Sequence, residues 1–275
     1  MLSVADLHLH SYFSDGFLSP SDLIDKVAAA GIKIASLTDH DSVDGVAEAK
    51  ERAKFHGIEI INGIEISTDV EDKEVHLLGY FINTEDESLI KYIKFFKAER
   101  MNRAMKIIEK LNFLGVNISI DDVVKRAKYS SIGRPHIANT LVALGAVKNY
   151  YEAFDKYLRD NGPAYVKKNH LSAASAIKLI SDAGGLVILA HPINIGDSIL
   201  TSLIKSGIDG IETIHPSHMH NHTNFYRGIV NSYFLFETGG SDYHGGYKND
   251  DSNLGKYVIP SKLVDTMRRL VYKNY

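Results

Sequence analysis

The sequence predicts an α/β barrel with a small helical insertion. Roughly seven short apolar segments of strand length alternate with helical patterns, which is typical of a parallel sheet covered by helices. Polar residues cluster directly after these segments, as they do at the carboxyl face of a closed barrel. A chain of 275 residues has room for a barrel with an inserted subdomain. An open, doubly wound sheet is the alternative, although no G-x-G-x-x-G or Walker loop follows any predicted strand.

The first predicted strand carries two histidines separated by one residue, in the segment D-L-H-L-H at 6–10. Alternate side chains of a strand share a face, so His8 and His10 are expected to point the same way. Asp15 follows in a Ser-Asp-Gly turn that can bring its carboxylate back over the end of this strand. These three side chains begin a predicted metal site.

The first half of the chain continues as alternating helices and strands. Ser19 can cap a helix whose first position suits Pro20, and Gly31 ends that helix. The next predicted elements are a strand at 32–37, a helix at 43–56, strands at 58–61 and 64–66, and a strand at 75–81. The segment T-D-H-D follows the strand at 32–37, and Glu65 and His76 lie within later strands. The predicted strands therefore carry further metal-binding side chains.

Residues 85–168 depart from this rhythm and predict helices without intervening strands. The predicted helices run to about residue 114 and then span 120–128, 134–144 and 150–159. Glycines at 115, 133, 145 and 162 separate them. We therefore expect a barrel domain at 1–84 and 169–275, with 85–168 as a helical insertion that acts as a lid.

The second half returns to alternating elements. The predictions are a helix at 172–183, strands at 186–189, 210–214 and 233–236, and a last amphipathic helix at about 262–272. The strands end in A-H-P at 190–192, H-P-S-H at 215–218 and G-S-D-Y-H at 240–244. His191, Asp242 and His244 thus join the candidate metal ligands at the same face.

Composition limits the chemistry. The chain has no cysteine, so it has no disulfides, thiolate zinc sites or cysteine nucleophiles, and only histidine and carboxylate side chains remain for metal binding. Its 31 basic and 34 acidic residues give a net charge of -3, which disfavours binding to long duplex nucleic acid. No basic leader and no apolar stretch of membrane-spanning length is found, so we expect a cytoplasmic protein without membrane contact.

Four of these motifs together resemble those of the PHP (polymerase and histidinol phosphatase) superfamily. They are D-L-H-L-H at 6–10, T-D-H-D at 38–41, A-H-P at 190–192 and S-D-Y-H at 241–244. The segments G-I-E-I-S at 63–67 and V-H-L-L-G-Y at 75–80 also resemble that family. With the insertion carrying G-R-P-H at 133–136, the chain is most similar to the stand-alone TrpH-like branch.

This resemblance implies a distorted (β/α)7 barrel, similar to a TIM barrel, that holds two or three divalent ions of manganese, zinc or iron. Carried over by position, it implies one metal bound by His8, His10, Glu65 and Asp242, and a second bound by Asp15, His40 and His244. It implies a third bound by Glu65, His76 and His191, so that Glu65 bridges the metals. Nitrogen and oxygen ligands suit these metals.

Several residues are candidates for contacts with the substrate. Arg134 precedes Pro135 at a predicted helix start, where a guanidinium and helix amides can bind phosphate, and His136 can join it. A surface role for Arg134 is the alternative. Arg100 lies on the long insertion helix, from which it could reach over the barrel mouth and bind phosphate, and a solvated face is the alternative for it. We predict that His215 and His218 bind phosphate and that His215 protonates the leaving oxygen. Asp39 is predicted to orient His40 or another imidazole.

The function predicted from the resemblance is hydrolysis of phosphate esters in small nucleotides by a metal-bridged hydroxide. Candidate substrates are a nucleoside 3′,5′-bisphosphate or the 5′ end of a short RNA, which makes the protein a phosphatase or an exonuclease. The nearest alternative is histidinol-phosphate phosphatase. An amidohydrolase is a more distant alternative, disfavoured because no bridging lysine is predicted at a strand end. A non-catalytic metal-binding accessory protein is the alternative outside enzymes.

Overall fold

A computed structural model describes residues 3–71, 73–127, 132–193, 195–246 and 248–273. The chain divides into two compact units. The first comprises Met1–Lys91 and His170–Tyr275, and the second comprises Tyr92–Asn169. The sequence pattern predicted the insertion at 85–168, and the helix that leaves the first unit continues unbroken into the second.

The first unit is built around one sheet. Its strands are β1 (Val4–Leu9), β2 (Ile34–Leu37), β3 (Glu59–Val70), β4 (Lys73–Tyr80), β5 (Leu171–Ser172), β6 (Leu186–Leu189), β7 (Gly210–Ile214), β8 (Phe236–Gly239) and β9 (Ile259–Pro260). Eight of them lie in the order β8-β7-β6-β4-β3-β2-β1-β9, and β5 pairs with β3. A parallel bridge between Leu9 and Tyr243 brings the segment after β8 beside β1. This contact nearly closes the sheet into the predicted barrel.

The strand directions differ from the prediction of a parallel sheet. β4 runs antiparallel to both of its neighbours, β3 and β6. The two apolar runs expected at 58–61 and 64–66 form one strand, β3, in which Gly63 is an interior residue. A side chain at Gly63 would place its Cβ atom 2.2 Å from Ser36 Oγ, so the strand passes there only with glycine.

Ten α-helices are seen in the described residues. They are α1 (Pro20–Ala29), α2 (Val46–His56), α3 (Glu87–Phe113), α4 (Ile120–Ala127), α5 (Arg134–Ala143), α6 (Tyr150–Ala153), α7 (Ala173–Asp182), α8 (Asp197–Lys205), α9 (His220–Tyr233) and α10 (Ser261–Lys273). The Ser19 hydroxyl caps α1 by accepting from the backbone N–H of Asp22, with Pro20 at the first position as predicted. None of the described helices is long and apolar enough to cross a membrane.

One predicted strand was misplaced. The run at 233–236 was expected to be a strand, but Tyr233 ends helix α9 and β8 begins only at Phe236. Between them Phe234 adopts a left-handed conformation with φ 55°, which ends the helix. Helix α9 has many His and Asn residues and buries only Tyr226 and Val230, so few apolar positions mark it in the sequence.

The second unit has a hydrophobic core of its own. Ile107 and Leu111 of α3 pack in a buried cluster with Val123 of α4 and with Ile137 and Leu141 of α5. The helix expected at 150–159 is α6 followed by a π-helix at Phe154–Leu158. Residue 128, the predicted end of the 120–128 helix, lies outside the described residues. The described part of this unit contains helices and no strands, as the pattern predicted.

Candidate metal centre

Nine side chains predicted as metal ligands meet at one end of the barrel. They are His8, His10, Asp15, His40, Glu65, His76, His191, Asp242 and His244. They come from the end of β1, from β3 and β4, and from the loops that follow β1, β2, β6 and β8. The alternation of side chains along β1 puts His8 and His10 on one face, with ring centroids 5.1 Å apart.

Glu65 lies at the middle of this group. Its Oε2 atom is 3.3 Å from Nε2 of both His8 and His10, and 3.1 Å from Nδ1 of His40. Its Oε1 atom is 2.9 Å from His76 Nδ1 and 3.1 Å from His191 Nε2. One buried carboxylate thus faces five imidazoles through two oxygens, an arrangement that suits a ligand shared between metal ions.

Two further carboxylates complete the group. Asp242 Oδ1 lies 3.4 Å from His8 Nε2 and 3.0 Å from His10 Nε2. Asp15 Oδ1 lies 3.1 Å from His244 Nε2 and 3.9 Å from His40 Nε2. Asp242 thus lies with His8 and His10, whereas Asp15 lies with His40, His244 and also His10, and the assignment of each residue to one metal stays a prediction.

Buried atoms without hydrogen bonds test whether these residues fit a metal. Among the nine predicted ligands, five buried atoms form no hydrogen bond of acceptable geometry within the described residues: His10 Nε2, Asp15 Oδ1, His40 Nδ1, His76 Nδ1 and His244 Nε2. An unpaired buried polar atom costs free energy, and five in one cluster would be very unfavourable. Lone pairs that converge without hydrogen-bonding each other are what metal coordination requires, so the residues fit divalent metal ions.

The backbone at this end of the barrel is shaped for the ligands. His191 and Asp242 have positive φ angles of 26° and 48°, a conformation that non-glycine residues rarely adopt. Gly240 passes so close to β1 that a Cβ atom there would lie 2.3 Å from the Cβ of His8. The backbone is therefore strained at two predicted ligands, His191 and Asp242, and it packs closely against a third, His8.

The carboxylates and imidazoles shift one another's pKa values strongly. Burial alone would raise the pKa of Glu65, but the imidazoles of His40, His8 and His76 hold it well below its ordinary range. Burial lowers the pKa of His10, yet Asp242 and Glu65 outweigh it and raise the pKa to about 9. The pKa of His76 is also raised to about 9, since Glu65 and Glu74 outweigh burial. Without metal, protons on imidazoles balance these carboxylates.

Glu212 is a site residue that sequence reasoning missed. It lies in β7, is fully buried, and accepts from His8 Nδ1 at 3.0 Å. Its other oxygen accepts from the backbone N–H of His191 at 2.8 Å. Glu212 thus orients one predicted ligand by its ring and another by its backbone. The signal for it was a glutamate inside the otherwise apolar strand at 210–214.

The loop after His244 contributes two more residues that were not predicted. The Asp250 carboxylate accepts from the backbone N–H groups of His244 and Gly246. Lys248 Nζ donates to Asp15 Oδ2 at 2.9 Å. Burial lowers the pKa of Lys248, but Asp15 outweighs burial and raises it, so the ammonium stays charged at neutral pH.

Asp39 differs from its predicted role of orienting an imidazole. Its carboxylate accepts from the backbone N–H and hydroxyl of Ser11, at 2.7 and 2.6 Å, and from the Ser14 hydroxyl at 2.6 Å. These donors already occupy the carboxylate, so Asp39 fixes the turn that leads to Asp15. Ser14 in turn lies 3.4 Å from His10 Nδ1.

His215 and His218 lie next to this group. His215 Nε2 is 3.3 Å from Asp242 Oδ2, and its ring is 5.0 Å from that of His191. His218 Nδ1 donates to the backbone carbonyl of Thr213 at 3.0 Å. Its Nε2 atom is buried and forms no hydrogen bond within the described residues, and burial lowers its pKa.

The other predicted phosphate-binding residues belong to the second unit. Arg134 donates to the Asp160 carboxylate at 2.6 Å and to the Leu158 carbonyl at 3.1 Å. His136 Nδ1 accepts from the backbone N–H of Gly133 at 3.1 Å. Arg100 lines a small basic pocket with other cationic side chains, including Arg103 and Lys106 of the same helix. Arg134 therefore connects the start of α5 to the segment at Leu158 and Asp160.

Comparison with known proteins identifies relatives over nearly the whole chain. The sequence pattern of the PHP domain matches residues 6–112. A 5′-3′ exoribonuclease of Haemophilus influenzae is 34% identical over 245 residues, covering 87% of this chain and 89% of that protein. A 3′,5′-nucleoside bisphosphate phosphatase of Chromobacterium violaceum is 33% identical over 246 residues, covering 87% and 86%. A crystal structure from Bifidobacterium adolescentis, described as that of a metal-dependent phosphoesterase, superposes with a TM-score of 0.86 at 29% identity, covering 96% of this chain and 94% of that one.

Proposed function

Because the chain belongs to the PHP family of metal-dependent phosphoesterases, we propose that it hydrolyses phosphate from a small nucleotide. The proposed substrates are a nucleoside 3′,5′-bisphosphate and the 5′ end of a short RNA. These are the substrate classes in the names of the two relatives, each about a third identical to this chain.

The observation that carries the proposal is the position of Glu65. Five imidazoles face its two oxygens at 2.9 to 3.3 Å, and the side chain is almost completely buried. A carboxylate buried among so many nitrogen ligands supports our proposal that these residues would hold two or three divalent ions, with Glu65 as a shared ligand. Manganese, zinc and iron all suit this donor set.

Divalent ions bound there would neutralise phosphate charge and lower the pKa of a bound water to about 7. The side chains around the ligands determine where the ligands and the substrate phosphate can lie. Glu212 and the Asp39 turn hold His8 and the Asp15 segment in place, which fixes where the phosphorus atom can lie relative to the ligands. His215, beside Asp242 and His191, is our proposed donor of a proton to the leaving oxygen.

The second unit is proposed to act as a lid that helps select the substrate. Arg134, at the start of α5, has its guanidinium 5.8 Å from the centre of the Tyr165 ring, and His136 lies in the first turn of the same helix. With Arg100, these side chains can bind a second phosphate of the substrate. Replacing Arg134 with Gln is expected to raise KM for a bisphosphate much more than for a monophosphate.

The proposal is tested by phosphate release from four compounds with manganese-loaded protein. They are adenosine 3′,5′-bisphosphate, AMP, histidinol phosphate and a short 5′-phosphorylated RNA. We expect turnover of the bisphosphate or the RNA, and a loss of at least about a hundredfold in Glu65→Gln, which keeps the shape of the side chain but removes its charge. Glu51→Gln, which breaks an exposed pair with Lys54, is the matched control and should not differ from the unchanged protein.

Two results would contradict the proposal. Preference for histidinol phosphate would assign the chain to that alternative phosphatase activity. A metal-loaded protein that is inactive on all four compounds would favour the non-catalytic metal-binding alternative.

A further inference from the structure

Lys248 occupies an unusual position for a cation. Its Nζ atom lies 2.9 Å from Oδ2 of Asp15. The other oxygen of that carboxylate, Oδ1, faces His244 at 3.1 Å and His40 at 3.9 Å. A single carboxylate thus separates the ammonium from a cluster suited to divalent cations.

The loop holds Lys248 there by several contacts. Gly245 and Gly246 have φ angles of +88° and +84°, which turn the chain directly after His244. Asp250 accepts from the backbone N–H of Gly246 at 2.8 Å. The backbone N–H of Phe17 donates to the carbonyl of His244 at 2.8 Å and ties this loop to the one that carries Asp15. Both ends of the Lys248–Asp15 pair are therefore anchored.

Electrostatics explains what such a lysine can do. Like charges repel, so an ammonium beside bound divalent ions costs free energy unless an anion binds there too. An ammonium has three donors, and Asp15 takes one of them. The side chain is 44% exposed, and within the described residues Asp15 accepts its one hydrogen bond, which leaves donors for a bound anion. An anion held by the metals at this edge would meet both charges.

We propose that Lys248 binds a terminal oxygen of the substrate phosphate and thereby favours phosphomonoesters over phosphodiesters. This inference rests on the proposed phosphoesterase function. At neutral pH a monoester carries close to two negative charges and has three terminal oxygens, whereas a diester carries one charge and has two such oxygens. A fixed cation next to the metals therefore stabilises the monoester more than the diester.

A pair of esters with the same leaving group tests this preference. We compare p-nitrophenyl phosphate with methyl p-nitrophenyl phosphate, in which a methyl ester removes one negative charge and one terminal oxygen from the phosphate group. Lys248→Gln is expected to lower kcat/KM for the monoester by about tenfold to a hundredfold and for the diester by less than about threefold. Lys248→Arg, which keeps the charge, should retain most of the monoester preference. The matched control is Lys178→Gln, which removes an exposed Lys–Asp pair elsewhere on the barrel.

A second measurement does not depend on turnover. Isothermal titration of the metal-loaded protein with inorganic phosphate should show affinity about tenfold weaker in Lys248→Gln. Metal content is measured in the same samples and should be unchanged. Equal losses on both esters together with reduced metal content would show that Lys248 only positions Asp15, which overturns the inference.

The two proposals fail in distinguishable ways. If the unchanged protein hydrolyses neither ester nor any nucleotide, the proposed function fails, and phosphate titration still tests Lys248. If the unchanged protein hydrolyses esters but Lys248→Gln has the same monoester preference and phosphate affinity, the inference fails and the proposed function stands.

Discussion

A buried carboxylate is stable only where charges or hydrogen bonds compensate for the loss of water. Glu65 obtains this compensation from imidazoles, and His8 obtains it on its other ring nitrogen from Glu212. His8 therefore lies between two carboxylates, and Glu212 fixes the orientation of its ring. The side chains that bind metal and those that orient them can therefore be tested one at a time.

Glu212→Gln is expected to weaken metal binding by about tenfold to a hundredfold, because His8 loses a charged partner that fixes its ring. The measurement is a titration of metal-free protein with Mn²⁺. Glu237→Gln is the control, since Glu237 lies on the neighbouring strand and pairs with Arg227 outside the centre. Unchanged Mn²⁺ affinity in Glu212→Gln would show that Glu212 does not orient His8.

Metal affinity is expected to rise with pH between about 6 and 9. The pKa values of His10 and His76 are raised to about 9, so both carry protons at neutral pH in the metal-free protein. A metal must displace those protons, and that displacement becomes easier as the pH approaches 9. Calorimetry in two buffers with different ionisation enthalpies measures the release. Identical binding enthalpies in both buffers would show that no proton leaves.

At the scale of elements, the strands bring together side chains that are distant in sequence. The chain can approach neighbouring strands closely at Gly63 and Gly240 because glycine has no Cβ atom. Eight of the nine ligand candidates stood out because each lies on or just after a short apolar run, Asp15 stood out in its Ser-Asp-Gly turn, and the resemblance to the PHP superfamily implied the set. The direction of β4 was not predictable, because an apolar run reads the same in a parallel and an antiparallel strand. Glu212 was missed because a buried charge in a strand only makes sense once its partner, His8, is in place.

Gly240→Ala is expected to lower the free energy of unfolding by about 1–3 kcal/mol and to weaken metal binding, because the new Cβ would meet the Cβ of His8. Thermal unfolding and Mn²⁺ titration measure the two effects. Gly228→Ala is the control: nothing lies within 4 Å of its Cβ position in α9, so alanine should stabilise the helix by about 0.5–1 kcal/mol. Equal stability of both variants would contradict the close approach at Gly240.

At the scale of the whole molecule, the barrel and the helical unit have separate hydrophobic cores. The core that contains Leu78 lies in the barrel and supports the strands of the metal centre. The core that contains Leu141 lies in the helical unit and includes no predicted metal ligand. The sequence indicated this division through the loss of strands between 85 and 168, but could not show that the helices share a core.

Leu141→Ala is expected to destabilise the helical unit by about 2–5 kcal/mol while the number of bound metal ions stays the same. Leu78→Ala is the counterpart in the barrel and should weaken metal binding as well, since Leu78 pairs with Glu65 across β3 and β4. Calorimetric unfolding with metal analysis measures both. Loss of metal from Leu141→Ala would show that the centre depends on the helical core.

The contact between Leu9 and Tyr243 that nearly closes the barrel has a consequence for biosynthesis. Beside it, the backbone N–H of Ser241 donates to the Asp6 carboxylate across 235 residues, and predicted ligands on both sides of that contact lie in the same centre. A ribosome must therefore synthesise almost all of the chain before the rings of His10 and His244, whose centroids lie 4.3 Å apart, can meet. Contacts of such long range form slowly, so the complete centre can capture its metal ions only late in folding. In a nascent chain stalled before Asp242, the imidazoles of His8 and His10 would be exposed. They could bind a metal ion only with an incomplete set of ligands.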